Sequence, residues 1–529
     1  MINHNASFAM TTLNEKDFKY TTRDGKHWTR KMFGFEATGT RFIDLGEGFT
    51  MYTGILTAHF GQTKTRAELE IPIRKAWIKA RHLAPSIATR QVMHEDTGDY
   101  WHTYTVPSCT AEVEAWARQT IFWHDDLEPK TLFETYLIQG ERWWTCSEGH
   151  FVFELHMFPS SETKGDWHIS YISPHNGSDG RSLMKLMENI LIWTLDELKR
   201  PTAGTPKLNW GEETIRLAPT MILAAELPLN KGQHPLELPK GVIPFLPPII
   251  ENPDLKPGDM TNVAAYLQFS EQKTMEYRLA GRKHGVTVTD MMLTLTALAT
   301  VETELKIALK DGLSPQTREI HMTPYEQSTH FLVGIYFMNH RHKFPSAYKE
   351  LENGALLLGT EGPSLLYDMS KIKEAIQFDR QEMKITRNSK VVWEVVKMCH
   401  EAARACPSDW DAIYQREVNR AFILDQGLHK NSDYHMRIPF QSSIGDYKTM
   451  DILNDFVPDK GALSGELTVT QQFHGCRITH PLMAPICWTY ADRMNVSWAT
   501  ARKWQTQEEL NLHVRIFEEW MDILIESAA

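Results

Sequence analysis

The chain has 529 residues, a net charge of −11 and 42% hydrophobic residues, including 16 Trp and 23 Phe. That length exceeds the roughly 250–300 residues at which a single core stops growing, so two domains or two halves of one large fold are expected, and the apolar content argues against disorder. An acidic chain with no run of five Lys/Arg residues lacks the basic footprint of a nucleic-acid binder or of a protein docked on an anionic membrane.

In chain order, Phe49 to Phe60 reads as a strand and Arg66 to His82 as an amphipathic helix. The N-terminal stretch before them has no continuous apolar segment, so no signal peptide is predicted. Strand character returns at Thr120 to Phe122, Phe151 to Met157 and Trp167 to Ser173. Gly180 to Lys199 is a helix with Leu183, Met187, Ile190, Leu191 and Leu198 on its apolar face, and Pro201 ends it. Eleven of the 26 prolines then fall between Pro201 and Met260. Proline removes backbone donors and fixes φ, so 201–260 reads as a crossover linker between an N-terminal lobe, 1–200, and a C-terminal lobe, 261–529.

After it, Ser270 is placed to cap a helix that stops at Gly285, and Thr289 a helix that stops at Gly312. Met291 to Val301, bounded by Asp290 and Glu302, is too short to cross a bilayer and reads as a buried core helix. HFLVGIYFMNH is a strand, helical stretches are expected around 365–384 and 390–405, GELTVTQQF is a strand, and Gln507 to Ile525 is the last helix. No fixed-period repeat appears, which excludes a solenoid or propeller. Six cysteines without a CxxC fit a reduced, cytoplasmic chain, in which the sequons at Asn5, Asn176 and Asn495 carry no meaning.

The sequence has no Walker A loop, GxGxxG, GxSxG elbow or HExxH, and its 23 histidines are scattered, so no metal site is expected. Asp166 to Ile192 stands out: a strand, the turn His175-Asn176-Gly177-Ser178-Asp179-Gly180, then the helix. Alternation puts Trp167, Ile169, Tyr171, Ser173 and His175 on one strand face. About one HxxxD match is expected by chance among 23 histidines, so the glycine that follows and the strand–turn–helix context carry the weight. His175 suits general-base work because its ordinary pKa lies near neutrality, and a nearby helix N-terminus favours the neutral ring. Ser178 or Asp179 is placed to cap the helix, Gly177 and Gly180 to allow the reversal, and Asp179 alternatively to pair with an arginine. The plain alternative is a turn histidine beside a helix cap. Trp143-Trp144 and the Met-rich stretches read as core.

HxxxDG between a strand and a helix, a third of the way along the chain, resembles the chloramphenicol acetyltransferase-like superfamily, which includes plant-type BAHD acyltransferases and condensation domains of nonribosomal peptide synthetases. The Pro-rich segment resembles the crossover between the two lobes of that fold. FSEQKTMEYRLAGRKHGVTVTDMMLTLTALATV and IYFMNHRHKFP resemble the opening of the second lobe and the arginine-bearing strand after it. NWGEETIRLAPT and the surroundings of HNGSDG are most similar to fungal trichothecene O-acetyltransferases. The BAHD pentapeptide DFGWG is absent, its positional counterpart being Ser442 to Tyr447. The doubled histidine of condensation domains is absent too, since Pro174 precedes His175.

The resemblance implies an α/β (α+β) architecture of two lobes, each a mixed sheet with helices, and an active-site tunnel between them. It further implies acetyl transfer from acetyl-CoA, as co-substrate, to an alcohol, the C15 hydroxyl of a trichothecene such as 15-deacetylcalonectrin. His175 would be the base, with direct attack on the thioester. Asp179, supported by Gly180, would be structural and paired with Arg341 from the second lobe. A monomer with no metal and no nucleic-acid partner is implied. The oxyanion donor stays open between His175 after proton uptake and the hydroxyls of Ser442 and Ser443. The competing readings are a carrier-protein acyl donor, another alcohol, or an inactive binding member of the same fold.

Overall fold

A computed structural model describes residues 14–528 apart from 46–47, 126–149, 162, 228–239, 257–258, 260, 350–355, 357 and 426–438. Trp143, Trp144 and the sequon at Asn5 lie outside the described residues. The N-terminal half supplies β1 (His27–Lys31), α1 (Phe35–Leu45), β2 (Met51–Phe60), α2 (Arg66–Leu83), β3 (Arg90–His94) and β4 (Asp99–Thr105). It continues with β5 (Ile121–Trp123), β6 (Glu154–Pro159), β7 (Asp166–Pro174) and α3 (Gly180–Lys199). The C-terminal half supplies β8 (Asn262–Gln268), α4 (Glu271–Lys283), α5 (Val288–Ala308), β9 (Ile335–Tyr336), α6 (Val392–Ala405) and β10 (Phe440–Asp446). It ends with β11 (Leu467–Cys476), β12 (Met483–Tyr490), β13 (Arg493–Ala501) and α7 (Gln507–Ala528).

Two five-stranded sheets organise the chain, in the orders β11-β2-β7-β6-β5 and β8-β13-β12-β10-β9. Both are mixed: β5–β6, β10–β12 and β9–β10 pair in parallel and the rest antiparallel. β7 is buried at every position, because it is a central strand covered on both faces. Residues 467–476 leave the C-terminal half to pair with β2, and this exchange ties the two sheets together. A smaller sheet containing β1, β4 and β3 flanks the first lobe.

Local signals set the helix starts. Thr65 and Glu68 close a capping box on α2, and Ser270 caps α4 through Lys273 N. Gly285, at φ +69°, lies just past the end of α4, where a left-handed residue releases the helix. α5 is buried nearly all round, enclosed by its neighbours, and Met291 to Val301 is buried throughout. Its cap is Thr287 and not Thr289: Thr287 and Asp290 form a capping box, which places Thr289 inside the first turn.

The stretch 365–384 is not one helix. Leu365–Asp368 pairs with His330–Val333, a short helix Met369–Ala375 follows, and Ile376–Asp379 folds against Lys384–Arg387 as a hairpin. The alternating residues of IQFD and KITR favour that pleated pair, and it overrides the helical periodicity read across them. β12 carries no polar alternation because it is buried on two faces. Within the Pro-rich segment, Pro244–Phe245 bridges in parallel to His330–Phe331. Asn176 and Asn495 are buried, so neither sequon is accessible to glycosylation. No helix among the described residues is long and apolar enough to cross a membrane.

Candidate active site

His175 follows the last residue of β7, and its backbone N–H donates to Thr50 O at 3.3 Å, which carries the sheet register into the turn. The ring is half-buried between the lobes. On one side the Tyr52 ring of β2 lies 4.9 Å away at 44°; on the other Phe337, just past β9, stacks at 5.9 Å and 11°. Nδ1 lies 3.1 Å from the Ser178 carbonyl oxygen. A carbonyl only accepts, so Nδ1 carries the proton and Nε2 presents its lone pair. Burial pushes the imidazole below its ordinary value of 6.5, and the nearby Asp179 charge offsets only part of that shift. The resting ring is therefore neutral near pH 7.

Asp179 performs both functions that the sequence left as alternatives. Its Oδ1 caps α3 by accepting from Ser182 N and Ser182 Oγ, each at 3.3 Å. Its Oδ2 accepts from Arg341 Nη1 at 2.6 Å and from Gly359 N at 3.2 Å. Arg341 Nη2 donates to Ser182 Oγ at 2.5 Å, which closes a ring of contacts across the lobes. Both charged groups are about 95% buried. Burial alone would raise the Asp179 carboxyl, but the Arg341 charge and hydrogen bond hold it below its ordinary 3.8. Gly359 belongs to this arrangement because a Cβ there would sit 2.7 Å from Arg341 Cγ and Cζ.

Gly180 and Gly177 do not have the role that the turn suggested. Neither takes a positive φ. Gly180 is required by close approach: a Cβ would lie 2.8 Å from Tyr52 Oη. That hydroxyl cannot yield easily, because it is 2.6 Å from His474 Nδ1, whose Nε2 is 2.8 Å from Tyr447 Oη. His474 is buried and pushed down to about 3, so it remains a neutral link between β11 and β2.

Ser442 and Ser443 lie on β10 and face opposite ways. Ser443 Oγ accepts from Thr289 Oγ1 at 3.2 Å and so turns toward α5. Ser442 shares the strand face of Phe440, which packs 6.0 Å from Phe337 beside His175. A bulge between Ser443 and Gly445 then points Ile444 at Gly180. Tyr52, Phe337, Gly359 and His474 are site residues that sequence reading missed. Among the described residues no three His, Cys, Asp or Glu side chains converge into a metal-holding group.

No family model matches the chain, and no curated protein matches it. Solved structures do. The chain is similar to a trichothecene 15-O-acetyltransferase from Fusarium sporotrichioides, at 14% identity over 98% of this chain and 100% of that one, with a TM-score of 0.73. It is also similar to the condensation domain of the Monacolin K polyketide synthase, at 10% identity over 94% and 97% of the two chains and a TM-score of 0.55. A third is the epimerization domain from the third module of tyrocidine synthetase B, at 12% identity, 92% and 95% coverage and a TM-score of 0.53. All three align over nearly their whole length, both halves included. The chain has the two-lobed chloramphenicol acetyltransferase-like fold.

Proposed function

We propose that this protein is an acyltransferase that moves an acetyl group from acetyl-CoA to a hydroxyl of a trichothecene, the C15 hydroxyl of 15-deacetylcalonectrin being the acceptor of choice. The observation that carries the reading is His175: a neutral imidazole between two lobes, its Nδ1–H held by Ser178 O and its Nε2 lone pair without a partner among the described residues. The near full-length likeness to a trichothecene 15-O-acetyltransferase supports the choice of substrates.

In the proposed reaction Nε2 takes the proton of the acceptor hydroxyl as its oxygen attacks the thioester carbonyl. The negative charge of the tetrahedral intermediate needs a donor, and Ser442 is the better placed of the two serines. Collapse breaks the C–S bond, and the imidazolium returns its proton to the departing thiolate. Asp179 and Arg341 do not touch the reacting atoms; they hold the turn, and with it the ring, in place between the lobes.

The test is to incubate the purified chain with acetyl-CoA and a panel of alcohols that includes 15-deacetylcalonectrin, and to read products by mass. A gain of one acetyl group on the trichothecene supports the proposal in full. Transfer only to other alcohols, or only from a carrier-bound acyl group, overturns the named substrate or donor. No transfer from any donor overturns the enzymatic reading.

A further inference from the structure

Behind the His175 turn lies a buried polar group that acyl transfer does not use. His102, on β4, is 4% exposed, and among the described residues neither of its ring nitrogens has a hydrogen-bond partner. Burial, with the Arg30 charge adding to it, holds the imidazole well below its usual value. The ring is therefore neutral and offers one N–H donor and one acceptor. Two orphaned sites on one buried ring are rare in native proteins and call for a ligand.

The ring borders a cavity of about 20 Å³, lined also by Arg30, Thr89, Gln91, Asn176 and Gly177. A space of that size with several polar walls accommodates one water. Arg30 is paired to both carboxylate oxygens of Glu36 at 2.7 Å, so its charge is already matched and recruits no anion. Thr89 Oγ1 donates to Ser86 O at 2.8 Å and keeps its lone pairs, while Gln91 Nε2 donates to Asn176 Oδ1 at 3.1 Å. Asn176 and Gly177 directly follow His175. A Cβ on Gly177 would lie 3.9 Å from His102 Cε1 and within 4 Å of no other atom.

We propose that one buried water bound by His102 is a built-in ligand of this fold, and that it braces the Asn176–Gly177 backbone from beneath. His102 is then a positioning residue for His175, acting through that water. The kinetic part of the test rests on the proposed function, whereas the crystallographic part does not.

A crystal structure of the full chain should show a water about 2.7–3.2 Å from a His102 ring nitrogen. Gly177→Ala fits sterically and fills the same space. A merely unfilled void would tolerate the added methyl with no loss of rate. The proposal expects instead that Gly177→Ala expels the water and shifts the His175 ring. Turnover should then fall about tenfold or more, with KM for both substrates within about twofold. His102→Leu should do the same, and His102→Gln, which retains a polar end, should recover most of the rate. No water at His102 in the parent crystal overturns the proposal. So does a Gly177→Ala protein that loses the water yet keeps its turnover and ring position. If the parent acetylates nothing, the proposed function fails, and the density together with the ring position in the two crystals still decides this inference.

Discussion

Asp179→Asn separates a helix cap from an ion pair. Asn caps about as well as Asp, so if capping were the whole function, little stability would change. The geometry says otherwise. Oδ2 receives two donors, Arg341 Nη1 and Gly359 N, and Oδ1 receives two more from Ser182. An amide NH₂ in either position opposes a donor to donors. The Arg341 guanidinium, 5% exposed, also loses its counter-charge. Breaking a buried pair from one side costs roughly 3–5 kcal/mol, and at about 2–4 °C per kcal/mol for a lobe-sized unit this lowers the melting midpoint on the order of 10 °C.

The sign with pH follows from the depressed carboxyl. Its stabilisation is fully present above the unfolded value near 3.8 and is lost as pH falls through the lower folded value. Parent and variant should thus differ most near neutrality and converge in acid. Loosening the turn by about 1 Å would cost on the order of 10² in rate. Arg341→Ala should cause a similar loss, and the double variant should be little worse than either single one. Melting curves at two pH values with steady-state kinetics on all three proteins test this. Parental melting and turnover in Asp179→Asn would refute the ion-pair reasoning, and a damaging Asp179→Asn beside a silent Arg341→Ala would refute the choice of arginine.

The acid limb of kcat/KM should have its midpoint below the ordinary histidine value of 6.5, since burial lowers His175; a midpoint above it would contradict the neutral-base geometry. Gly180→Ala should destabilise by about 1–3 kcal/mol and slow turnover, because its methyl meets a Tyr52 hydroxyl that His474 holds; thermal melts and kinetics at the parental level would refute the close approach. Ser442→Ala should lose about 10²–10³ in kcat while Ser443→Ala stays within a few-fold, and the reverse order would reassign the oxyanion donor.

The turn was legible because its chemistry is contiguous: His175, Asp179 and Gly180 lie within six residues, between elements with plain periodicity. HxxxD alone would not have singled it out. His429 and Asp433 repeat the spacing, followed by Tyr434 and outside the described residues, so the glycine and its context make the difference. Arg341 lies 162 residues downstream of Asp179 and was nameable only through the resemblance, because nothing local marks a side chain that crosses between lobes. Tyr52 reaches His175 through the β2–β7 register, which pairs Tyr52 with Ser173, and such long-range pairing leaves no sequence period to read. Gly177 and Gly180 look like turn glycines because backbone freedom is the usual use of glycine; here the Tyr52 phenol demands the missing Cβ at Gly180, and Gly177 borders a small cavity with room for one. The cap of α5 reads from sequence as Thr289, two residues too late, because the partner that selects Thr287 is Asp290, whose carboxylate answers it in a capping box.

The central claim is that His175 Nε2 removes the proton of the acceptor hydroxyl. The most direct test is turnover of His175→Ala on the alcohol that the parent acetylates, measured beside acetyl-CoA binding by calorimetry. The account predicts a fall in kcat of about 10²–10⁴ with acetyl-CoA affinity nearly unchanged, since the base acts only on the proton in transfer. A His175→Ala protein that turns over within a few-fold of the parent would contradict it.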